Sequence, residues 1–286
     1  MIKNKIKYYI YVFLGFIIRD SFFISIKYFL RHRSIPNLKH PKTFNERIAA
    51  FKLKARSPLY EKLADKHLVK DYVRSKIGDK YVIPSLYVTS NPDSINFNRL
   101  PNSFIIKANH GTSCNIIIRN KKEINEKAIL RDCRNFLSIN YYYYGRENQY
   151  FNINRKLVLE ELMMKADGTL PMDYKFFTFN GEVKAIQLDI DRFNNHTRNF
   201  YDSKWNKIPV ELMYPSYDNF IDKPKKLAEM INIASRLSAD LDFARIDLYY
   251  HNEKIYFGEI TLTPENNLGT FNPVKYDRVF GDYFKN

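Results

Sequence analysis

The first 35 residues combine an apolar run with basic flanks. An uncharged stretch from Tyr8 to Ile18 follows a lysine-rich start, and Arg19, Asp20 and Lys27 interrupt the apolar pattern beyond it. A membrane-spanning helix needs about 20 apolar residues, and charges are costly in hydrocarbon. A secretory signal requires a small-residue cleavage site after the apolar run, and none follows here. We therefore expect residues 1–35 to form a basic amphipathic helical segment.

Two interpretations of this segment stay open. In one, the apolar residues lie at the headgroup boundary of a membrane while the basic residues meet anionic lipid. In the other, the helix packs on the protein's own core and the lysines are solvated. The basic residues concerned are Lys3, Lys5, Lys7, Lys27, Arg31 and Arg33.

Two helices are predicted in the next part of the chain. Thr43 and Glu46 have the spacing of a capping box, which predicts a helix from about 44 to 55. A second helix is predicted from Pro58 to Gly78, because its apolar residues recur at helical spacing and glycine ends it.

From residue 81 onward the pattern is mainly that of strands. Strands are predicted at 81–89, 104–109, 116–119, 156–164, 174–180, 182–190, 243–250 and 254–261, and helices at 123–140 and 225–239. Pro84 marks the first strand as an edge or irregular strand, and Asn180-Gly181 is a strong two-residue hairpin signal. The run Tyr141–Tyr144 is predicted to be a loop or a strand. The order of elements predicts an α+β (mixed α/β) fold in two lobes.

Composition and charge restrict the class of protein. The 286 residues suffice for roughly two domains, and two cysteines, Cys114 and Cys133, suit a reducing cytoplasm. Residues 1–80 carry 19 lysines and arginines against 6 acids, whereas the rest of the chain is nearly neutral. A basic front on a near-neutral body indicates that one end meets an anionic surface. No nucleic-acid-binding motif accompanies the basic residues, so we expect no nucleic acid partner.

Two carboxylates near the C-terminus are the sharpest chemical feature. Asp247 and Glu259 lie on the arms of one predicted hairpin, and a loop centred on Glu253 places them directly opposite each other. Opposed residues have Cβ atoms about 5 Å apart, and carboxylates that close repel unless a cation lies between them or one is protonated. Mg²⁺ takes carboxylates together with phosphate oxygens and water. The pair predicts a magnesium site, and the alternative is two surface acids, each matched to a lysine.

Other candidates lie in or at the ends of predicted strands. Lys107 precedes the small-residue loop 110–115, an arrangement that can hold phosphate oxygens. Glu160 and Glu161 close an apolar strand and can hold an amino group or a ribose hydroxyl. Lys175 faces either solvent or a bound anion. For the lysines and acids the alternative is an ordinary solvated position. Arginines suited to carboxylate or phosphate recognition are Arg192, Arg198 and Arg245.

Taken in order, these motifs resemble the ATP-grasp superfamily, and most closely its TupA-like branch. That branch is the teichuronopeptide-biosynthesis type, met in capsule and O-antigen gene clusters. The resemblance covers about residues 36–284, and no single motif in it is specific. The motifs are Asp65-Lys66, Lys107, Glu160-Glu161, Lys175, Arg245 to Tyr249, and Gly258 to Thr261.

The resemblance implies an ATP-grasp-like fold with ATP between two lobes. The expected segments are a basic helical segment at 1–35, a helical and α/β region at 36–100, a small lobe at 101–162 and a C-terminal lobe with the metal site at 163–286. It also implies ATP and Mg²⁺ as cofactors. In the implied reaction a carboxylate attacks the γ-phosphate to give an acylphosphate, and an amine then displaces phosphate to leave an amide.

The resemblance also implies roles for individual residues. The catalytic residues would be Lys107, Lys175 and Arg245. The nucleotide-binding residues would be Lys107, His110, Gly111, Glu160, Glu161, Leu162, Met163 and Lys175. The metal-binding residues would be Asp247, Glu259 and Thr261. The chain departs from the usual pattern at Thr261, where the superfamily usually has asparagine, and in the loop 110–115, which has a single glycine.

We therefore expect an ATP-dependent ligase that joins an amino acid to a uronic acid of a bacterial capsule or O-antigen polysaccharide, or of its precursor. Its partners are an amino acid, an acidic sugar or polysaccharide, and an anionic membrane surface through residues 1–35. A cytoplasmic location, peripheral on the inner face of the membrane, fits these partners. The alternatives are a sugar kinase or glycosyltransferase-like enzyme on the same fold, and a non-catalytic membrane-associated assembly factor.

Overall fold

The computed structural model describes residues 5–165, 167–191 and 195–285. The described helices are α1 (Lys5–Ile17), α2 (Asp20–His32), α3 (Phe44–Lys54), α4 (Pro58–Ala64), α5 (Val69–Ile77), α6 (Glu126–Leu137), α7 (Tyr142–Gly145), α8 (Leu227–Leu237) and α9 (Lys275–Asp282). The described strands are β1 (Ser85–Thr89), β2 (Phe104–Ala108), β3 (Asn115–Ile118), β4 (Leu157–Glu161), β5 (Asp173–Phe179), β6 (Glu182–Ile190), β7 (Thr197–Tyr201), β8 (Lys207–Ile208), β9 (Glu211–Leu212), β10 (Phe243–His251), β11 (Lys254–Thr261) and β12 (Phe271–Asn272). Two residues singled out in the sequence, Lys3 and Arg192, lie outside the described residues.

The N-terminal segment forms two helices that separate at Arg19. Tyr8 of α1 is buried, and its hydroxyl accepts a hydrogen bond from the backbone N–H of Asn140 at 3.0 Å. At the start of α2, Asp20 accepts a hydrogen bond from the hydroxyl of Tyr142 at 2.7 Å. Both helices therefore rest on the body of the protein through one face. Within the described residues, none of the helices combines the length and apolar character needed to cross a membrane.

The next helices confirm the predicted capping box and correct the predicted second helix. Thr43 Oγ1 accepts a hydrogen bond from the backbone of Glu46, whose carboxylate accepts one from Thr43 N–H. The predicted second helix is wrong as a single element, because the chain breaks at Asp65 into α4 and α5. The Asp65 carboxylate accepts hydrogen bonds from the backbone N–H groups of His67 and Leu68, which offers the backbone an alternative to helical bonding.

A four-stranded antiparallel sheet has the order β1-β4-β2-β3. As predicted, β1 is an edge strand, and its pairing with β4 is irregular. The amphipathic helix α6 contributes Ile129, Cys133 and Phe136 to a core that includes Phe104 and Ile106 of β2. Although β1 precedes residue 101, it belongs to this sheet.

The run of four tyrosines was predicted to be a loop or a strand, and this prediction is wrong. The chain forms the short helix α7 instead. Asn140 Oδ1 accepts a hydrogen bond from the backbone N–H of Tyr142, and the Tyr142 ring packs edge-on against Phe151 at 4.8 Å. These tertiary contacts, which sequence alone does not display, decide the local conformation.

The larger sheet is also antiparallel, with the order β11-β10-β5-β6-β7-β8. One face, with Phe176 and Ile246, packs against α5 and α8. The other face is apolar toward one end of β5 and polar toward the other end. Phe177 and Phe179 of β5 pack with α3 and α9, whereas Lys175, two residues earlier, is surrounded by carboxylates. The strands therefore carry an apolar end that anchors the C-terminal helix and a polar end that forms the site.

The two hairpins of this sheet follow different rules. The Asn180-Gly181 turn between β5 and β6 is confirmed, with both residues at positive φ (50° and 79°). In the hairpin β10–β11, Asp247 and Glu259 are paired as predicted, but the predicted loop centred on Glu253 is wrong. The turn has two residues, so an uninterrupted ladder would pair Asp247 with Gly258. A β-bulge with Gly258 as the extra residue shifts the pairing by one and brings Glu259 opposite Asp247.

Candidate active site

A cavity of about 510 Å³ lies where the polar end of the larger sheet meets the smaller sheet. Its volume is in the range of small-molecule sites. The described charged residues that line it are Lys66, Lys107, Glu147, Glu160, Asp173, Lys175, Asp189, Arg198, Arg245, Asp247, Glu259 and Glu265. Several predicted site residues thus meet in one place, although they are up to about 150 positions apart in the sequence.

Strand geometry explains why these side chains share a face. Side chains alternate along a strand, so Asp173 and Lys175 of β5 point to the same side. On the neighbouring strands Asp247 and Gln187 pair directly with Lys175, one from each side. Glu259 in turn pairs with Asp247. The register therefore assembles a row of polar side chains across β11, β10, β5 and β6.

Arg245 lies between the two predicted metal-binding carboxylates. Its guanidinium donates two hydrogen bonds of 2.7 Å to Asp247, one of 3.2 Å to Glu259 and one of 3.0 Å to Thr261. Burial raises the pKa of Asp247 to about 6, even though Arg245 and Lys175 oppose that rise. Burial also favours the neutral form of Glu259, but Lys66, Arg245 and Lys175 together lower its pKa to about 2.

Lys175 is surrounded by three carboxylates. It forms a salt bridge with Asp173, and its Nζ lies 3.7 Å from Asp189 and 3.6 Å from Asp247. The side chain is almost fully buried. Asp173 and Asp189 were not predicted as site residues. The signal that would have found them is the period-two placement of acids in otherwise apolar strands, on the face already assigned to Lys175 and Asp247.

Lys107 and Glu160, which belong to two separate motifs, are in direct contact. Lys107 Nζ lies 2.6 Å from Glu160, and Lys70 of α5 donates to the same carboxylate at 2.5 Å. Burial would raise the pKa of Glu160, but Lys107 and Lys70 lower it below its ordinary value. Glu160 therefore stays ionised and positions Lys107, which faces the cavity. Sequence reasoning did not single out Lys70.

The helix break after α4 brings Lys66 into the cavity. Its ammonium donates to the carbonyl oxygen of Gly111 and lies 3.7 Å from Glu259. Gly111 follows β2 in the loop that the sequence analysis assigned to phosphate binding. A Cβ at this position would come within 2.6 Å of the ring of Tyr141, so the loop requires glycine here. Lys66 thus links the loop to the carboxylate pair.

The remaining predicted nucleotide-binding residues, His110 and Glu161 to Met163, are not among the described residues that line the cavity. The buried ring of His110 contacts Asn109 and the carbonyl oxygens of Phe136 and Ile139, so its side chain holds the loop. In the connector after β4, Glu161 is exposed, Leu162 is buried and Met163 is half-buried. Their contacts with a nucleotide, and the contact of His110, stay predictions.

Arg198 occupies the part of the cavity toward the opposite edge of the larger sheet from β11. It donates to Asp189 at 2.6 Å and to Glu265 at 2.8 Å, and its guanidinium lies over the ring of Tyr214. The ring of His196 packs on the same tyrosine, with centroids 3.7 Å apart. These residues form a second polar region of the cavity, separate from Lys107.

A strained turn closes this side of the cavity. Glu265, Asn266 and Asn267 all have positive φ (51°, 54° and 58°) without being glycine, a conformation that costs energy and is held by its surroundings. Buried Lys52 of α3 donates to the side chains of Asn266 and Asn267 at 2.5 and 2.7 Å. Burial lowers the pKa of Lys52 to about 7, against the attraction of buried Glu147. None of these residues carried a sequence motif.

The donor set fits a magnesium–nucleotide complex better than a metal ion alone. Among the described lining residues, seven carboxylates face five lysines and arginines, so a polyphosphate needs accompanying cations to enter. Asp247, Glu259 and Thr261 supply the oxygen ligands that Mg²⁺ prefers. In the described part of the chain, no group of three or more histidine, cysteine or acidic side chains is arranged to hold a metal. Phosphate oxygens and water would complete the coordination.

The sequence comparison identifies the family. Residues 46–285 match the family described as TupA-like ATPgrasp. Since this match spans most of the chain, the protein belongs to the TupA-like ATP-grasp family. The match confirms the resemblance stated above and the α+β ATP-grasp fold class. The predicted ATP-grasp class of enzyme is confirmed by this match.

Solved structures give more distant similarities. D-alanine–D-alanine ligase from Bacillus anthracis shares 16% identity over 71% of this chain and 58% of its own, with a TM-score of 0.43. The ATP-grasp ligase PsnB, complexed with a minimal precursor, shares 12% identity over 77% of this chain and 59% of its own, with a TM-score of 0.43. The chain spans less than two thirds of the length of either protein. No match was found among curated proteins.

Proposed function

We propose that the protein is an ATP-dependent carboxylate–amine ligase that attaches an amino acid or short peptide to a uronic acid. The acid would belong to a bacterial capsule or O-antigen polysaccharide or to a precursor of it. The observation that carries the proposal is the meeting of Lys107 and Lys175 with the opposed carboxylates of Asp247 and Glu259 in one cavity. Cations and metal-binding oxygens in one place are what phosphoryl transfer requires.

The proposed chemistry has two steps. A carboxylate oxygen of the uronic acid attacks the γ-phosphorus of ATP, the bond to the β,γ-bridging oxygen breaks, and ADP leaves. The amine nitrogen then attacks the acyl carbon, the bond from that carbon to the phosphate oxygen breaks, and phosphate leaves with loss of an amine proton. Lys107 and Lys175 neutralise negative charge on the transferred phosphoryl group, which lowers the barrier to attack by the carboxylate oxygen and to departure of ADP.

The predicted metal-binding residues would hold the magnesium ion that accompanies the nucleotide. Asp247 and Glu259, with Thr261, would hold Mg²⁺ on the nucleotide phosphates, and Mg²⁺ there supplies further charge neutralisation. Arg245 orients both carboxylates through three hydrogen bonds and Thr261 through a fourth. Glu160, held by two lysines, keeps Lys107 directed at the cavity.

The second polar region of the cavity supports an acidic acceptor. Arg198 presents a planar guanidinium that forms paired hydrogen bonds with carboxylates in general. The rings of Tyr214 and His196 pack together beside this guanidinium and hold it at the cavity. The reaction is placed in the cytoplasm, where ATP is available, and the two free cysteines suit that compartment.

ADP release measured across a panel of uronic acids and amino acids tests the proposal. A ligase releases ADP and phosphate only when both acid and amine are present, and the acid and amine are recovered as one amide. ADP formation that needs the sugar but no amine, with a phosphorylated sugar as product, would show a kinase instead. No turnover with any acceptor, together with no binding of ATP, would favour a non-catalytic assembly factor.

A further inference from the structure

The outer face of helix α1 is apolar where a helix on a water-soluble surface is normally polar. Six of its large apolar side chains are between 51% and 77% exposed, and their spacing follows one side of the helix. They are Ile6, Tyr9, Ile10, Phe13, Phe16 and Ile17. A continuous exposed stripe of this kind marks an interaction surface.

Helix α2 repeats the arrangement. Its inner face, with Phe23, Ile24 and Tyr28, is buried. A second set of large apolar side chains, 39% to 62% exposed, recurs at helical spacing on its outer side. They are Phe22, Ile26, Phe29 and Leu30. We call these four residues and the six of α1 the apolar stripes.

The apolar stripes are held outward because the other sides of both helices are fixed to the body. Lys27 donates to the carbonyl oxygen of Tyr144 at 2.8 Å, and Arg31 donates to that of Leu268 at 3.1 Å. Tyr8 is anchored by Asn140, as described above. Neither helix can turn its stripe inward without breaking these contacts.

The charge around the apolar stripes has one sign. Residues 5–45 contain eight lysines and arginines and a single acid, Asp20. That acid is half-buried and bonded to the hydroxyl of Tyr142, so it does not offset the basic surface. Lys5, Arg19 and Arg33 are exposed beside the stripes.

We propose that α1 and α2 form a docking surface for an anionic lipid bilayer. Apolar side chains beside lysine and arginine match the two attractions of an interfacial helix, insertion at the headgroup boundary and attraction to acidic lipid. A second copy of the chain fits less well, since it would bring one basic surface against another. At 13 residues each, the helices lie along the bilayer surface, because spanning requires about 20 residues.

Docking would also bring the catalytic cavity close to the membrane. Tyr8 of helix α1 packs against Tyr143 and Tyr144. Tyr141 and Glu147, which flank these two tyrosines in the sequence, line the cavity. This placement suits an acceptor that is still attached to a lipid. A lipid-attached acceptor rests on the proposed ligase function, whereas the docking surface itself does not.

Flotation of the full chain with vesicles tests the docking surface. The vesicles contain phosphatidylcholine alone or phosphatidylcholine with 30% phosphatidylglycerol, at low and high salt. The variants are Phe13→Glu with Phe16→Glu in α1, and, as a matched control, Phe220→Glu, whose ring is 82% exposed elsewhere on the surface. Circular dichroism shows whether each variant is folded, and light scattering reports its oligomeric state.

We expect wild type and Phe220→Glu to float with anionic vesicles and to bind neutral vesicles at least tenfold more weakly. The double variant should lose at least tenfold in binding to anionic vesicles while remaining folded. Equal or absent binding to both vesicle types overturns the proposal. If light scattering shows that wild type and Phe220→Glu are dimers and the double variant is a monomer, the proposal is also overturned, in favour of self-association. None of these results depends on turnover of ATP, so failure of the ligase function would be seen separately.

Discussion

Asp247 and Glu259 are direct cross-strand partners only because β11 contains one extra residue between them and the turn. From the turn to Leu248 and Phe257 the hairpin pairs without interruption, and a bulge at Gly258 then brings Glu259 opposite Asp247. In an unbulged hairpin Gly258 would take that place, and Glu259 would point to the other face of the sheet. The candidate metal site therefore depends on a backbone irregularity.

Crowding the bulge should disable the site without unfolding the protein. A Cβ at Gly258 would lie 3.0 Å from the carbonyl oxygen of Asp247 and 3.1 Å from the ring of Tyr249. We expect Gly258→Val to lower the rate of ADP formation at least tenfold, because both carboxylates must shift. Lys254→Val, an exposed change on the same strand, is the control. Unchanged activity of Gly258→Val would show that the exact opposition is not needed.

Removing Lys175 should cost both stability and activity. Its ammonium lies among Asp173, Asp189 and Asp247, and breaking a buried ion pair costs about 3–5 kcal/mol because a charge is left uncompensated. We expect Lys175→Met to lower the free energy of unfolding by about 3 kcal/mol in urea titrations, with loss of ADP formation. Lys184→Met on β6, paired with exposed Glu182, should change stability by less than about 1 kcal/mol. Equal effects would contradict this account.

The buried amine of Lys52 predicts a pH dependence of stability. Its pKa is lowered by burial to about 7 from an ordinary 10.5. Between these values the unfolded chain binds a proton that the folded chain lacks, so the contribution of Lys52 to stability improves as pH rises. The free energy of unfolding of wild type minus that of Lys52→Met should therefore rise from pH 7 to 9, by at most about 1.4 kcal/mol per unit. A flat or falling difference would contradict burial of the amine.

Arg198 is expected to act on the acceptor and not on the nucleotide. Changing it to lysine keeps the charge but removes the planar fork that pairs with carboxylates. We expect Arg198→Lys to raise the KM for the acidic acceptor at least tenfold and to leave the KM for ATP within about twofold. Steady-state ADP release with each substrate varied in turn measures both values. A matching rise in the KM for ATP would place Arg198 in the nucleotide site instead.

Much of the fold followed from local patterns. The capping box at Thr43, the Asn180-Gly181 turn and the alternating strands are encoded within a few residues, so a single sequence reveals them. The break at Asp65 was not predicted, because the hydrogen bonds of its carboxylate with His67 and Leu68 N–H and with the distant Asn109 override the apolar periodicity. Helix α7 was not predicted, because it depends on contacts with distant residues such as Asp20.

The candidate site was predictable only in part, for the same reason. Asp247 and Glu259 are close in sequence, so the hairpin placed them together even though its turn was misjudged. Lys70 reaches Glu160 across 90 positions, and Lys52 reaches Asn266 across 214. No spacing rule links such residues, and only the packing of α3 and α5 on the sheets brings these lysines to Glu160 and Asn266, which line the cavity.

Titration of ATP into the protein with and without Mg²⁺, followed by calorimetry, tests the central claim most directly. The account predicts that wild type binds ATP with Mg²⁺, and that Glu259→Ala, in which only one of the opposed carboxylates remains, binds it at least tenfold more weakly. Lys254→Ala, on the same strand, should bind as wild type does. Absence of heat with wild type, or equal binding by Glu259→Ala, would contradict the claim that the opposed carboxylates hold a magnesium-bound nucleotide.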